Sequence, residues 1–263
     1  MNNSLANGKI SSSEIFKKVY ICSSPGDSGG AIGAAIKASK KNNFNFDGYS
    51  GSSFSNEDIQ KVIQNEINSL SKNNINYIKL NNEEIITKTV EQLYLNKVVG
   101  WFSGKMEFGP RALGNRSILC NPSMNNARSL LNEKIKLREK FRPFAGSIIQ
   151  EYKNDWFECP IDEFSPFMSK VYKVKEDKKK YIPAIVHEDG TCRIQTVTKN
   201  KNSKFFELIN SFYLKSNIPI LLNTSFNENE LIVYTPKEAL DCFIRTRMDN
   251  LILENYFFFR REK

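Results

Sequence analysis

Between Trp101 and Ala145 the chain sets Lys105, Arg111, Arg116, Arg128, Lys134, Lys136, Arg138, Lys140 and Arg142 among glycines, prolines and aromatics. Gly104, Gly109, Pro110 and Gly114 punctuate a loop that holds one carboxylate, Glu107, against several cations. Glycine lets a backbone approach a ligand closely, and guanidinium forks match phosphate or carboxylate oxygens. Charge-assisted hydrogen bonds contribute about 1.5–3 kcal/mol each when desolvated, so three or four converging on one phosphate would dominate a site. For Lys134 and Lys140 the plainer reading is a solvated face paired with Glu133 and Glu139, worth roughly 0–1 kcal/mol per pair. For Arg111, Arg116, Arg138 and Arg142 the residue chemistry leaves ligand binding and surface pairing both open.

Four further places carry chemistry-bearing groups. The polar run Asn223-Thr224-Ser225-Phe226-Asn227 follows a short apolar stretch, and its hydroxyls and amides can orient phosphate or carbamoyl oxygens without adding charge. Arg193 lies in an alternating run, where it shares a face with Thr191 and Gln195. His187, the sole histidine, sits in a turn and reads as a hydrogen-bonding fixture or a general acid or base. Asp27 follows Gly26 and precedes Gly29 and Gly30, a pattern in which a strand turns into a helix whose free N–H groups can receive an anion.

The elements that must position these groups alternate between strand and helix, which argues for an α/β fold. Strands are expected at 19–22, 77–80, 98–102, 144–149, 172–174, 181–186, 191–197, 218–222 and 251–259. Helices are expected at 31–40, from a Ser55/Asp58 capping box to 67, and over 82–96 and 203–215, with a further one opening at Pro236. A helix from Pro122-Ser123 should end before Pro143, leaving Lys136, Arg138 and Arg142 at its exit. The polar, glycine-containing stretch 42–55 reads as a linker, and the lysine-rich stretches 37–41 and 175–180 as solvated loops.

At 263 residues, 40% hydrophobic and 25% charged, the chain is long enough for one substantial core and a smaller piece. No run approaches the length needed to span a bilayer, and the N-terminal MNNSLANGK lacks a signal-peptide core, so the default location is cytoplasmic. The five cysteines are widely spaced and form no C-x-x-C pair, which disfavours structural zinc and a disulfide framework. A net charge of +9 is compatible with nucleic acid, a membrane surface or small polyanions.

The motifs GKMEFGPRALGNRSIL, IKLREKFRPFAGSII, SPFM, IPAIVHEDGTCRIQTV and LLNTSFN occur in that order between residues 85 and 256. Together they resemble the NodU/CmcH-type O-carbamoyltransferases. NSLANGK and PGDSGGAIGAA near the N-terminus are similar to the close of that family's transferase domain. The resemblance implies an α/β (α+β) fold: a YrdC-like twisted mixed sheet with flanking helices, preceded by a strand-helix remnant of an actin/Hsp70-like domain. It divides the chain into that remnant at 1–45, a linker with helix at 46–80, and the YrdC-like carbamoyltransferase C-terminal domain at 81–260.

What the resemblance implies for function is formation of carbamoyl-adenylate from carbamoyl phosphate and ATP with Mg²⁺, for transfer to a hydroxyl-bearing acceptor. It assigns Lys136, Arg142 and Arg193 to the clamp on phosphate and carbamoyl phosphate, with Ser225 and Asn227 orienting. Arg111, Arg116, Arg138 and Thr224 are the further nucleotide-binding candidates. Lys105 stands where the family has arginine. Asp27 matches a family ligand of Fe²⁺ or a similar metal, but the two partner histidines of an H-x-x-x-H arrangement have no counterpart in this sequence. A metal there would need histidines from another chain, and acyl transfer a separately encoded N-terminal half. Two rivals stand beside this reading: a YrdC-like RNA-binding module, against which no stacked-aromatic RNA motif appears, and a truncated protein that catalyses nothing.

Overall fold

In a computed structural model, residues 3–13, 15–40 and 46–261 are described. Lys41 and the head of the expected linker, 42–45, lie outside the described residues. Ten strands form one mixed sheet: β1 Ile75–Lys79, β2 Val99–Phe102, β3 Arg116–Cys120, β4 Ala145–Ile149, β5 Phe157–Glu158, β6 Val171–Val174, β7 Thr191–Val197, β8 Ile220–Ser225, β9 Asn250–Leu253 and β10 Tyr256–Arg260. Their spatial order is β1-β10-β9-β2-β3-β8-β4-β7-β6-β5. The β9/β2 and β4/β7 pairs are parallel and the others antiparallel. This is the mixed α/β architecture expected from the sequence.

Every residue of β2, β3 and β4 is buried, as strands covered on both faces must be. The helices are α1 Ser4–Ser12, α2 Asp27–Ser39, α3 Asn56–Asn65, α4 Ile67–Lys72, α5 Asn82–Tyr94, α6 Ala127–Lys134, α7 Lys153–Trp156, α8 Ser203–Ser216 and α9 Pro236–Arg245. Helix α5 packs on α8 and β2, α8 also on β4 and β8, and α9 on β2 and β9. Reciprocal capping boxes start three of them: Ser55 with Asp58, Asn81 with Glu84 and Thr235 with Glu238, the last with Pro236 in the first turn.

Several expected elements take another form. Residues 19–22 join no strand; Val19, Tyr20 and Ile21 line a hollow with Lys170, Gln195 and Val197 instead of pairing in the sheet. Residues 181–186 form turns after a 3-10 helix over Glu176–Tyr181. The expected strand at 251–259 is a hairpin, split where Glu254 adopts φ 48° between β9 and β10. Strand β3 carries no sequence expectation at all, and α4 is likewise additional.

The stretch after residue 45 is no free tether. Gly51 N donates to the Met106 carbonyl, Met106 N to Ser52 and Phe108 N to Gly48, a ladder that fastens it along the glycine loop. The helix expected to reach Pro143 stops at Lys134. Leu137 takes φ 45°, and the buried Asn132 side chain gathers the following loop. Asn132 Nδ2 donates to the Lys140 and Arg142 carbonyls at 3.1 and 3.0 Å, and Asn132 Oδ1 accepts from Arg138 Nε at 2.8 Å.

Candidate anion site

The site is assembled on the order β3-β8-β4-β7-β6. Leu119, Asn223, Ala145, Arg193 and Val171 stand opposite one another in a single row, so their side chains share one face. Two residues along their strands, Ser225, Ser147 and Gln195 point the same way. The face is therefore a polar floor among apolar neighbours, and the glycine loop lies over it. Gln195 Nε2 donates to the Leu113 carbonyl at 2.7 Å, as does Tyr49 Oη at 2.9 Å.

Glu107 shapes that loop. Its Oε1 accepts from the backbone N–H groups of Leu113, Asn115 and Arg116 at 2.6, 2.8 and 3.2 Å. The carboxylate is 6% exposed and neutralises three donors that the turn would otherwise leave unmade. Gly114, at φ 102°, makes the closest approach: a Cβ there would lie 2.2 Å from the Phe205 ring. The loop thereby fixes Arg111 and Ala112 above Asn223, whose Nδ2 comes within 3.5 Å of the Ala112 carbonyl.

Arg111 and Arg138 both lie within electrostatic reach of Arg193 here. Burial, and then the charges of Arg111 and Arg138, push Arg193 down to about 10, and no carboxylate is among the groups acting on it. Burial lowers Arg111, and burial together with Arg142 lowers Arg138 against the weaker pull of Glu139. Among the described residues neither Arg193 nor Arg138 forms an ion pair. Arg138 stacks its guanidinium 5.0 Å from the centre of the Phe144 ring. A buried guanidinium with like charges beside it and no ion pair, as Arg193 is, favours an anionic ligand.

Lys136 joins from the loop after α6. Its buried ammonium donates to the Ser225 carbonyl, to Ser225 Oγ at 3.3 Å, and to Asn227 O and Oδ1 at 2.8 and 2.6 Å. Burial and Arg138 push it down to about 7, while the four surrounding oxygens favour keeping the proton. Lys136, Ser225 and Asn227 are thus joined by hydrogen bonds. The joining group is an ammonium that orients the motif, and its donors are directed at protein oxygens.

The other candidates lie elsewhere. Arg142 is about half exposed, with Nε 3.1 Å from Glu139, at the rim beside Arg138. Arg116 departs from the group: it is fully buried, and its Nη atoms serve the carbonyls of Ser52, Ser103, Gly104 and Asn115 at 2.9–3.4 Å, over the Phe102 ring. Thr224 pairs with Ile118 and projects from the opposite face to Asn223 and Ser225, because strand side chains alternate. His187 is a fixture, Nε2 at 3.3 Å from the Phe144 carbonyl and Nδ1 at 3.2 Å from Thr191 Oγ1; burial lowers its pKa and Arg193 lowers it further. Lys140 pairs with Glu133 at 3.2 Å, the surface role expected of it.

Asp27 is exposed in the first turn of α2, where Gly26 is the N-cap and no side-chain cap forms. Among the described residues no three His, Cys, Asp or Glu side chains are grouped as a metal site would require. The residues present do not fit a transition metal at Asp27, which demands three or more protein donors. A hollow of about 350 Å³, lined by Phe16, Tyr20, Tyr49, Phe167, Lys170 and Gln195 among others, lies next to the site but does not contain the guanidiniums.

Sequence reasoning passed over Glu107 as a binding element, and over Asn132 and Ser147 altogether. Their only sequence signal is a polar residue inside an apolar run, which does not distinguish an organising group from a surface one.

The family model described as carbamoyltransferase C-terminus matches residues 90–260. An uncharacterised Synechocystis protein, sll1178, is 37% identical over 285 aligned positions, covering 97% of this chain and 45% of that protein. Nodulation protein NolNO of Sinorhizobium fredii is 36% identical over 271 positions, covering 99% of this chain and 38% of its own length. The chain therefore spans less than half the length of either relative. A crystal structure of full-length HypF in its phosphate- and nucleotide-bound form overlaps 68% of this chain and 22% of its own at TM-score 0.44 and 16% identity, too loose a likeness to carry weight.

Proposed function

This chain belongs to the carbamoyltransferase C-terminus family, and on that premise we propose that it activates the carbamoyl group of carbamoyl phosphate as carbamoyl-adenylate. One observation supports the reading most: Arg193 lies on the polar sheet face, forms no ion pair among the described residues, and feels the like charges of Arg111 and Arg138 with no carboxylate acting on it, an arrangement that calls for an anionic ligand.

In this reading Arg193, Arg138 and Arg111 receive the phosphate of carbamoyl phosphate, with Arg142 at the mouth. Hydrolysis of carbamoyl phosphate gives carbamate and inorganic phosphate. A carbamate oxygen then attacks the α-phosphorus of ATP, the bond to the bridging oxygen breaks, and pyrophosphate leaves with the electron pair. Negative charge grows on the leaving oxygens, where fixed guanidiniums stabilise it at no reorganisation cost. Lys136 holds Ser225 and Asn227 in place, Ser225 Oγ donates to Asn227 Oδ1 at 2.7 Å, and the one N–H of Asn227 Nδ2 not given to Glu230 is left to donate to a carbamoyl or α-phosphate oxygen. Mg²⁺ would arrive on the ATP phosphates and neutralise part of their charge. Transfer from the adenylate to a hydroxyl-bearing acceptor, releasing AMP, is assigned to the portion of the relatives outside the matched stretch. A metal at Asp27 would need donors from that portion.

The test is pyrophosphate release by the purified chain given ATP, Mg²⁺ and carbamoyl phosphate. Release that requires carbamoyl phosphate and is abolished by Arg193→Met supports the reading. Release indifferent to carbamoyl phosphate, or none at saturating concentrations of both substrates, overturns it.

A further inference from the structure

His187 bridges the heads of two neighbouring strands of the sheet. Its Nε2 faces the carbonyl of Phe144, the residue before β4, at 3.3 Å, and its Nδ1 faces Oγ1 of Thr191, the first residue of β7, at 3.2 Å. A carbonyl oxygen only accepts. The Thr191 hydroxyl gives its one hydrogen to Asp189 Oδ1 at 2.6 Å, so towards the ring it too can only accept. Both ring nitrogens therefore face acceptors. A neutral imidazole carries one N–H and turns the other nitrogen's lone pair against an oxygen, whereas the imidazolium satisfies both contacts.

The surroundings of the ring oppose that second proton. Burial acts against the imidazolium first; Arg193 of β7 and Arg128 of α6 add like charge, while the Phe144 carbonyl and Asp189 of the same turn favour the charged form. Arg193 and Arg128 each bury an Nε that makes no hydrogen bond, and neither forms an ion pair among the described residues. Hydrogen-bond geometry thus favours a proton that the local cations disfavour, and one of those cations belongs to the anion site. A dianion on Arg193 reverses the sign of that field. The proton then fastens two supports of the site. One is Thr191, two residues before Arg193 on the same face of β7, and the other is Phe144, whose ring lies 5.0 Å from the Arg138 guanidinium.

We propose that His187 is a positioning residue of the anion site that takes up one proton from solvent as an oxyanion binds, so that anion and proton each tighten the binding of the other. This rests on reading the guanidinium cluster as the phosphate site. His187 acts through the strand heads that carry Arg193 and Phe144, without touching the ligand. Affinity for an oxyanion of fixed charge therefore increases as pH falls through the histidine's range, and levels off once the free protein is itself protonated.

The chain holds a single histidine, so its ring Cε1–H resonance is unambiguous in an NMR titration of the wild-type protein. Sulfate is the probe, because it stays a dianion from about pH 5 to 8, the range in which histidine titrates; chloride holds the ionic strength constant. Saturating sulfate should raise the His187 midpoint by about one unit, and by reciprocity the imidazolium form should bind sulfate about tenfold tighter than the neutral form. Lys136, near 7, titrates in the same range, so calorimetric affinities are compared between proteins: the ratio of affinities at about pH 5 and about pH 8 should fall about tenfold in His187→Gln. In Arg193→Met the histidine midpoint should become indifferent to sulfate. Sulfate that binds wild type without moving the midpoint overturns the linkage and leaves the anion site standing, as does a shift that persists in Arg193→Met. No sulfate binding at any pH removes both. The first arm uses the unsubstituted chain, so the outcome does not hang on whether either variant folds.

Discussion

Replacing Arg193 by methionine separates a ligand-binding arginine from a structural one. Methionine preserves much of the apolar stem and removes a guanidinium that has no counter-ion among the described residues. Burial and two like charges bring Arg193 from 12.5 to about 10, a fall worth ~3 kcal/mol at about 1.4 kcal/mol per pH unit. Discounted for the part of the side chain that water reaches, ~1–2 kcal/mol of unfavourable free energy remains to be relieved. For a chain of this size that predicts a rise in Tm of about 2–8 °C by differential scanning fluorimetry. The same substitution should weaken pyrophosphate binding about 10- to 150-fold, the equivalent of one charge-assisted contact. The stabilisation that pyrophosphate gives wild type should shrink in step. A variant with lower Tm and unchanged pyrophosphate affinity would refute the reasoning, because Arg193 would then be holding the fold together.

Arg116→Met should do the reverse: four carbonyls lose their donors, stability falls by ~2–4 kcal/mol in urea denaturation, and pyrophosphate affinity of the folded fraction stays within about threefold; a wild-type midpoint would contradict this. Glu107→Ala strips the acceptor from three loop N–H groups and should cost ~2–4 kcal/mol, whereas Glu107→Gln keeps Oε1 and should cost about 1 kcal/mol. Equal losses would mean that charge, and not acceptance, is what the loop needs. Lys136 titrates near 7 in the folded chain and near 10.5 unfolded, so the unfolded state binds the extra proton between those values. Its contribution to stability should therefore rise with pH across that window, by up to ~1.4 kcal/mol per unit. Lys136→Met should flatten that slope, and parallel stability curves for wild type and variant from pH 7 to 9 would show that the ammonium stays charged throughout.

The sheet was legible wherever a strand is apolar and bounded by turn residues, as in β2, β4 and β7, and helices were legible from the Ser55/Asp58 capping box, from apolar spacing over 82–96 and from Pro236 in a first turn. Strand β3 escaped because Arg116 and Ser117 make its head look like loop. The arginine belongs there because carbonyls of Ser52, Ser103, Gly104 and Asn115 collect it, a tertiary fact with no local trace. The early end of α6 has the same origin: Asn132 competes for the backbone of 138–142, and propensity does not report a side chain's long-range partners. Residues 181–186 were expected extended from their apolar content, yet that content serves packing in a turn. Within the candidate site, residue type singled out the arginines only as a group. Setting Arg116 apart from the others required knowing that four backbone carbonyls already take its Nη donors.

The central claim is a location, so the most direct measurement is crystallographic. In crystals soaked with tungstate, the anomalous map should place a tungsten atom among Arg111, Arg138 and Arg193, and a subsequent carbamoyl phosphate soak should displace it. Tungsten bound elsewhere while those three guanidiniums face only solvent would contradict the account.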